Sequence, residues 1–106
     1  MPVAYIMNFP GAREDQFALA MSIALKHQHA KAGWPSAMIA HYSGPTEFGW
    51  CAVEVWEDDQ SFRDYQQGRR LGEVFADLGM HQPQIESFPV RTTRDDIAIG
   101  EQDSRS

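Results

Sequence analysis

Two short runs of alternating side chains, Ala37–Tyr42 and Trp50–Glu57, stand on either side of Ser43–Gly49, a stretch (SGPTEFG) built almost entirely of turn formers. Two strand-like runs around a short Gly/Pro loop predict an antiparallel hairpin. The rest of the chain must be arranged around it.

The flanks repeat a strand-and-helix pattern. Upstream, Val3–Phe9 (VAYIMNF) is a short apolar run ended by Pro10-Gly11, the signature of a strand. Residues 13–32 then place Phe17, Ala20, Met21, Ala24, Leu25 and Gln28 on one helical face, with Glu14 and Asp15 in the first turn, where acid complements the helix dipole. Gly33 is placed to stop this helix, and Pro35 follows. Downstream, Asp58 suits an N-cap, and Phe62, Tyr65, Leu71, Val74, Phe75 and Leu78 carry a second helical stripe ending at Gly79. Gly68 and Gly72 inside it each cost about 1 kcal/mol relative to Ala, which predicts a break or a close backbone approach. Ile85–Val90 reads as a last strand, and Pro89 suits an edge because it offers no ladder donor. Strand–helix–strand, twice over, predicts an α+β domain: a four-stranded antiparallel sheet with both helices on one face. The single domain is expected over 1–94. Residues 95–106 are polar apart from Ile97-Ala98-Ile99 and are expected to form a mobile tail.

The chain has 106 residues, enough for one domain, and a net charge of −6. With nine Lys and Arg it has no basic face for nucleic acid or for an anionic membrane surface. Arg69-Arg70, a local basic pair, reads as a solvated face. Cys51 is the only cysteine, so no internal disulfide is possible, and among Trp50, Ala52 and Val53 it reads as a small core residue. No signal peptide or membrane span is visible, so the expected location is the cytoplasm. His27 and His29 fit a metal poorly, because residues two apart on a helix point in opposed directions. There is no HExxH, GxGxxG or phosphate loop, so no cofactor and no metal are expected.

Helices cover one face of such a sheet and leave the other. With Ser43 opposite Trp50, the hairpin puts His41 opposite Ala52 and Ile39 opposite Glu54 on one face, together with Trp50 and Trp56. Ala4, Ile6 and Asn8 are expected to join them. Met38, Ala40, Tyr42, Cys51, Val53 and Val55 lie on the other face and, being almost wholly apolar, are expected to meet the helices. The mixed face is too hydrophobic for solvent and too polar for a dry core, so it predicts an interface or a pocket, with a second copy packed sheet to sheet.

The element order, the passage EVWEDDQSFRDY and the closing ESFPV resemble the dimeric α/β-barrel superfamily, which includes the antibiotic-biosynthesis monooxygenases. NFPG, HYSGPTEFGW and VEVWEDDQSF are similar to a group of small, mostly actinobacterial proteins of unassigned function. The resemblance covers residues 3 to 92. It implies a ferredoxin-like βαββαβ fold that pairs into a dimeric barrel, and a ligand cavity between helices and sheet or inside the barrel. Relatives in that superfamily oxidise or cyclise polyketides without metal or flavin, degrade haem, or act on small lactones. For the haem-degrading branch, Asn8 matches an expected Asn, but Tyr65 stands where a Trp belongs and Phe75 where the axial His belongs.

His41 is the first candidate for chemistry, because its side chain titrates near neutrality. Glu54, across the same hairpin, could orient it. Asn8 could donate to a developing oxyanion, and Trp50 and Trp56 could stack on a planar substrate. The expected function is a homodimer that binds a small molecule and acts as a cofactor-independent enzyme (a monooxygenase, cyclase or isomerase) on an aromatic or polyketide-like metabolite, with His41 as acid/base. The alternative is a non-catalytic ligand-binding or accessory dimer. The plainer roles are a His41 bond to the adjacent Gly-Pro turn, a Glu54 contact at the dimer interface, and core or interface packing for the two tryptophans.

Overall fold

The computed structural model of the protein describes residues 1–26 and 34–94. Four strands and three helices follow in the order β1 (Val3–Pro10), α1 (Glu14–Lys26), β2 (Met38–Thr46), β3 (Gly49–Trp56), α2 (Asp59–Gly68), α3 (Leu71–Asp77) and β4 (Gln84–Pro89). The strands form one antiparallel sheet in the order β2-β3-β1-β4. β4 is an edge, as Pro89 predicted. His27, His29, the helix end at Gly33 and the tail 95–106 lie outside the described residues.

The second helical stretch divides in two. Gly68 closes α2, and Arg70 takes a left-handed conformation (φ 51°) before α3 begins. Asp58 caps α2 as expected, its carboxylate accepting from the Ser61 N–H at 2.7 Å. Gly79, at φ 77°, ends the segment.

The hairpin turn is tighter than the seven-residue loop read from SGPTEFG. Both strands continue through it, leaving Glu47-Phe48 as a two-residue connection with Thr46 opposite Gly49. The reason is local. A Cβ on Gly49 would lie 2.2 Å from the Phe9 carbonyl oxygen, so only glycine lets the hairpin tip close against β1. The Phe48 carbonyl then accepts from the Gly11 N–H at 2.7 Å and ties the tip to the β1–α1 turn.

This turn moves the register by two residues. Ser43 faces Ala52, not Trp50, and His41 stands directly opposite Glu54. A bulge at Ile39 separates the Met38–Trp56 pair from the Ala40–Val55 pair. A two-residue shift keeps the side chains from Ala40 onward on their faces, while the bulge carries Met38 to the face of Trp56, where it packs against the core as expected.

Which face meets the helices is the reverse of the expectation. Tyr5, Met7 and Phe9 of β1 pair with Glu54, Ala52 and Trp50, and this set is buried beneath the helices. Phe9 packs edge-on against Phe17 of α1 and Phe75 of α3, with ring centres 5.4 and 5.1 Å apart. Tyr5 stacks on Phe62 of α2 at 3.7 Å. Trp56 is 1% exposed and lies against Phe62 and Tyr65. Each such large side chain contributes roughly 1.5–3 kcal/mol by leaving water. The opposite face holds Ala4, Ile6 and Asn8 of β1, Ala40 and Tyr42 of β2, Cys51, Val53 and Val55 of β3, and Phe88 of β4. None of the described helices covers it, and Tyr42 and Phe88 are 72% and 51% exposed. Cys51 is therefore a half-buried residue of the uncovered face rather than a core residue. The inversion has a physical cause. The indoles of Trp50 and Trp56 bring more apolar surface than valines do, and Glu54, buried with them, is hydrogen-bonded by Trp56 and His41.

Candidate functional site

The hairpin register brings His41 and Glu54 together. Nδ1 of His41 lies 2.9 Å from Glu54 Oε2, and the other carboxylate oxygen, Oε1, accepts from the Trp56 indole N–H at 2.9 Å. Glu54 is buried, 4% exposed, and is the one charged side chain in the core among the described residues. Trp56 and Glu54, two apart on β3, project to the same side, so strand alternation alone sets this geometry. An ionised carboxylate accepts, so Nδ1 is the donor in this pair, and in the neutral form of the ring Nε2 is a lone-pair acceptor. Among the described residues nothing is hydrogen-bonded to Nε2.

Aromatic rings surround the imidazole. Trp34 lies 5.0 Å from it, and Phe17 of α1 is stacked 6.2 Å away. Phe17 in turn lies 5.8 Å from Trp50. Between α1 and the hairpin these groups line a groove of about 310 Å³, together with Met21 and Ser43. Such a volume is at the lower end for small-molecule sites. Below the groove the dyad is dry, since Glu54 and Trp56 are sealed by the core. Above it, His41 is partly open.

The five residues singled out in the sequence do not form one site. His41, Glu54 and Trp50 belong to this groove. Trp56 is not a stacking wall: it lies beneath the site and holds Glu54. Asn8 does not join His41. It pairs with Cys51 on β3 and Gln84 on β4, on the opposite face, because β1 presents its odd positions to the helices. Asn8 lines a second cavity of about 310 Å³ at the hairpin end of the sheet, with Pro10, Thr46, Phe48, Trp50 and Gln84. Trp50 borders both cavities, and its buried indole N–H has no hydrogen-bond partner among the described residues. Ala52, expected opposite His41, is fully buried and faces Ser43 and Met7.

Sequence reasoning missed Trp34 and Phe17. Phe17 was assigned to the core stripe of α1, which it also serves. Trp34 lies in the α1–β2 connection, just before Pro35, where no periodicity assigns it a direction. A large aromatic in such a connection was the available signal.

The haem-degrading arrangement does not fit these residues. Phe75 is buried against Phe9 and offers no donor, and Asn8 lies across the sheet from α3. Among the described residues no three His, Cys, Asp or Glu side chains come together to hold a metal ion. No helix among them is long and apolar enough to cross a membrane.

No protein-family model matches the sequence, and no curated protein matches it significantly. Solved structures do match. SnoaB, a cofactor-independent oxygenase from Streptomyces nogalater, superposes with a TM-score of 0.61 at 17% identity, over 87% of this chain and 95% of that one. A dimeric ferredoxin-like protein of unknown function from Thermobifida fusca gives 0.58 at 14% identity, over 85% and 92%. A dimeric ferredoxin-like protein from Bacteroides fragilis gives 0.54 at 10% identity, over 84% and 96%. At these identities the likeness is one of fold, and the chain has the ferredoxin-like fold that these proteins share.

Proposed function

We propose that the protein is a homodimeric, cofactor-independent enzyme acting on a small planar metabolite of aromatic or polyketide type, in the groove between α1 and the β2–β3 hairpin. The observation that carries this reading is the buried relay Trp56–Glu54–His41 ending beneath an aromatic-lined groove. Glu54 holds the Nδ1 proton, so Nε2 is aimed as a general base at an acidic proton of the substrate, such as a phenol O–H or an activated C–H. Trp56 fixes the carboxylate, and the carboxylate fixes the tautomer and the ring. Trp34, Phe17 and Trp50 would hold a flat molecule against the imidazole. The carbanion or phenolate so formed is electron-rich, and such species react with dioxygen, close rings or take the proton back elsewhere, according to the substrate. SnoaB, described as a cofactor-independent oxygenase, supports chemistry of this kind on this fold.

Two features support the dimer. The uncovered sheet face presents Ile6, Val53, Val55, Tyr42 and Phe88, an apolar patch of the kind that marks an interface. Two solved structures of the same fold are described as dimeric. The groove lies on the helix side, so each copy would carry its own.

Incubation of wild type and His41→Ala with hydroxyaromatic and anthrone substrates under air, read by product mass, tests the reading. His41→Ala is expected to keep the fold and lose about 10²- to 10⁴-fold in turnover. Equal turnover by the variant would remove His41 from the mechanism. Tight binding with unchanged ligand recovered from wild type would leave a binding protein.

A further inference from the structure

The walls of the groove specify charge as well as shape. Phe17, Trp34 and Trp50 all line it, Trp34 exposed and the other two largely buried, with Phe17 5.8 Å from Trp50 and both Trp34 and Phe17 against the His41 ring. At the rim the groove is also lined by Glu14, in the first turn of α1, whose carboxylate makes no ion pair among the described residues. Among the described residues, the side chains that line the groove include no Lys or Arg. Arg13, next to Glu14, is committed to Asp15 at 3.0 Å. A second carboxylate, Glu54, stands behind His41 at the floor.

Aromatic faces are electron-rich, and several of them around one volume attract a weakly hydrated cation. A carboxylate at the rim adds Coulombic attraction of the same sign, strengthened where the rings exclude water. An anion meets the reverse among the described residues: two carboxylates, electron-rich rings and no Lys or Arg. We infer that the groove selects a ligand carrying a tertiary or quaternary ammonium group, which sits among Phe17, Trp34 and Trp50 and faces Glu14. The inference rests on the groove being the functional site and adds the substrate class: an amine-bearing molecule whose acidic proton lies beside the cation. A positive charge next to that proton also favours its removal by Nε2, because the anion left behind is stabilised electrostatically.

Choline and its uncharged isostere 3,3-dimethylbutan-1-ol separate charge from shape. Titrated into the isotope-labelled protein, choline is expected to move the Trp34 indole N–H resonance saturably and to bind about tenfold more tightly than the alcohol. Trp34→Ala should weaken choline severalfold, and since Trp34 is partly exposed the variant should fold. Glu14→Gln should weaken choline severalfold and leave the alcohol unchanged. Equal binding of the two probes, or no shift at Trp34, overturns the inference. So does choline binding that is lost in Phe48→Ala but kept in Trp34→Ala, because it would place the cation in the cavity at the hairpin end. His41→Ala distinguishes this failure from failure of the enzyme reading. Charge preference retained in that variant with unchanged turnover would leave the ammonium site standing and the catalytic role fallen. Turnover lost in it, with no charge preference in wild type, would do the opposite.

Discussion

Glu54 shows how one buried charge organises its surroundings. A lone carboxylate in a core is expensive, and this one is tolerated because both oxygens are engaged, one by Trp56 and one by His41. Removing it orphans two buried donors at once. Glu54→Ala should therefore destabilise the protein by about 1–3 kcal/mol, measured as a lower urea midpoint with an unchanged slope. A variant as stable as wild type would mean that water already serves the Trp56 and His41 donors. The pair was legible in the sequence as two residues on one hairpin face. Its distance was not, because it depends on a turn whose length the composition SGPTEFG left open. The role of Trp56 was also hidden: a tryptophan beside a mixed face reads as a platform until its N–H is seen to end on Glu54.

At the scale of elements, the junction of β3 with α2 is held by two neighbouring carboxyls. Asp58 caps the helix, and the N–H of Ser61 holds its carboxyl below the usual carboxylate value of 3.8. Asp59 accepts from the Arg63 guanidinium and the Tyr5 hydroxyl, and these two bonds, Arg63's first, also hold it below 3.8. Burial, and then the bond to Asp59, pushes the Tyr5 hydroxyl well above its ordinary range. Tyr5 thereby ties β1 to the start of α2. Because both carboxyls titrate lower in the fold than in the unfolded chain, they stabilise fully above pH 3.8, and this is lost as pH falls through their lower folded values. The stability gap between wild type and Asp59→Asn should therefore shrink in acid. A gap that stays constant into strong acid would show that the contribution is packing of Tyr5 rather than charge. The cap at Asp58 and the break near Gly68 were both readable from local chemistry, since capping and glycine cost are properties of a few neighbouring residues. The left-handed Arg70 was not, because that conformation is uncommon for a non-glycine residue and nothing in its neighbours signals it.

For the molecule as a whole, the decisive feature is the uncovered sheet face. Two copies packed through Ile6, Val53, Val55, Tyr42 and Phe88 would withdraw these side chains from water. Val53→Asp, in the middle of the patch, should leave the monomer folded and shift light-scattering mass from dimer to monomer. It should also make the thermal midpoint independent of concentration. A dimer that survives the substitution would place the contact elsewhere. The groove lies on the far side of the sheet, so the monomeric variant should keep the Trp34 and His41 environment.

The sequence by itself determined the elements, their order and the antiparallel hairpin, because these follow from periodicity, caps and turn residues that act over a few positions. It also determined that one sheet face would hold His41 and Glu54 together, since alternation along a strand is a property of the backbone. Only the tertiary structure decided which face that was. Alternation is symmetric about the sheet, and the choice depended on the competition between burying two indoles with a satisfied carboxylate and burying two valines and a tyrosine. The same choice sent Asn8 to the far face, set Trp56 beneath the site and brought Trp34 from a connecting segment over His41. No local pattern encodes these placements, because each depends on residues far apart in sequence meeting across the core.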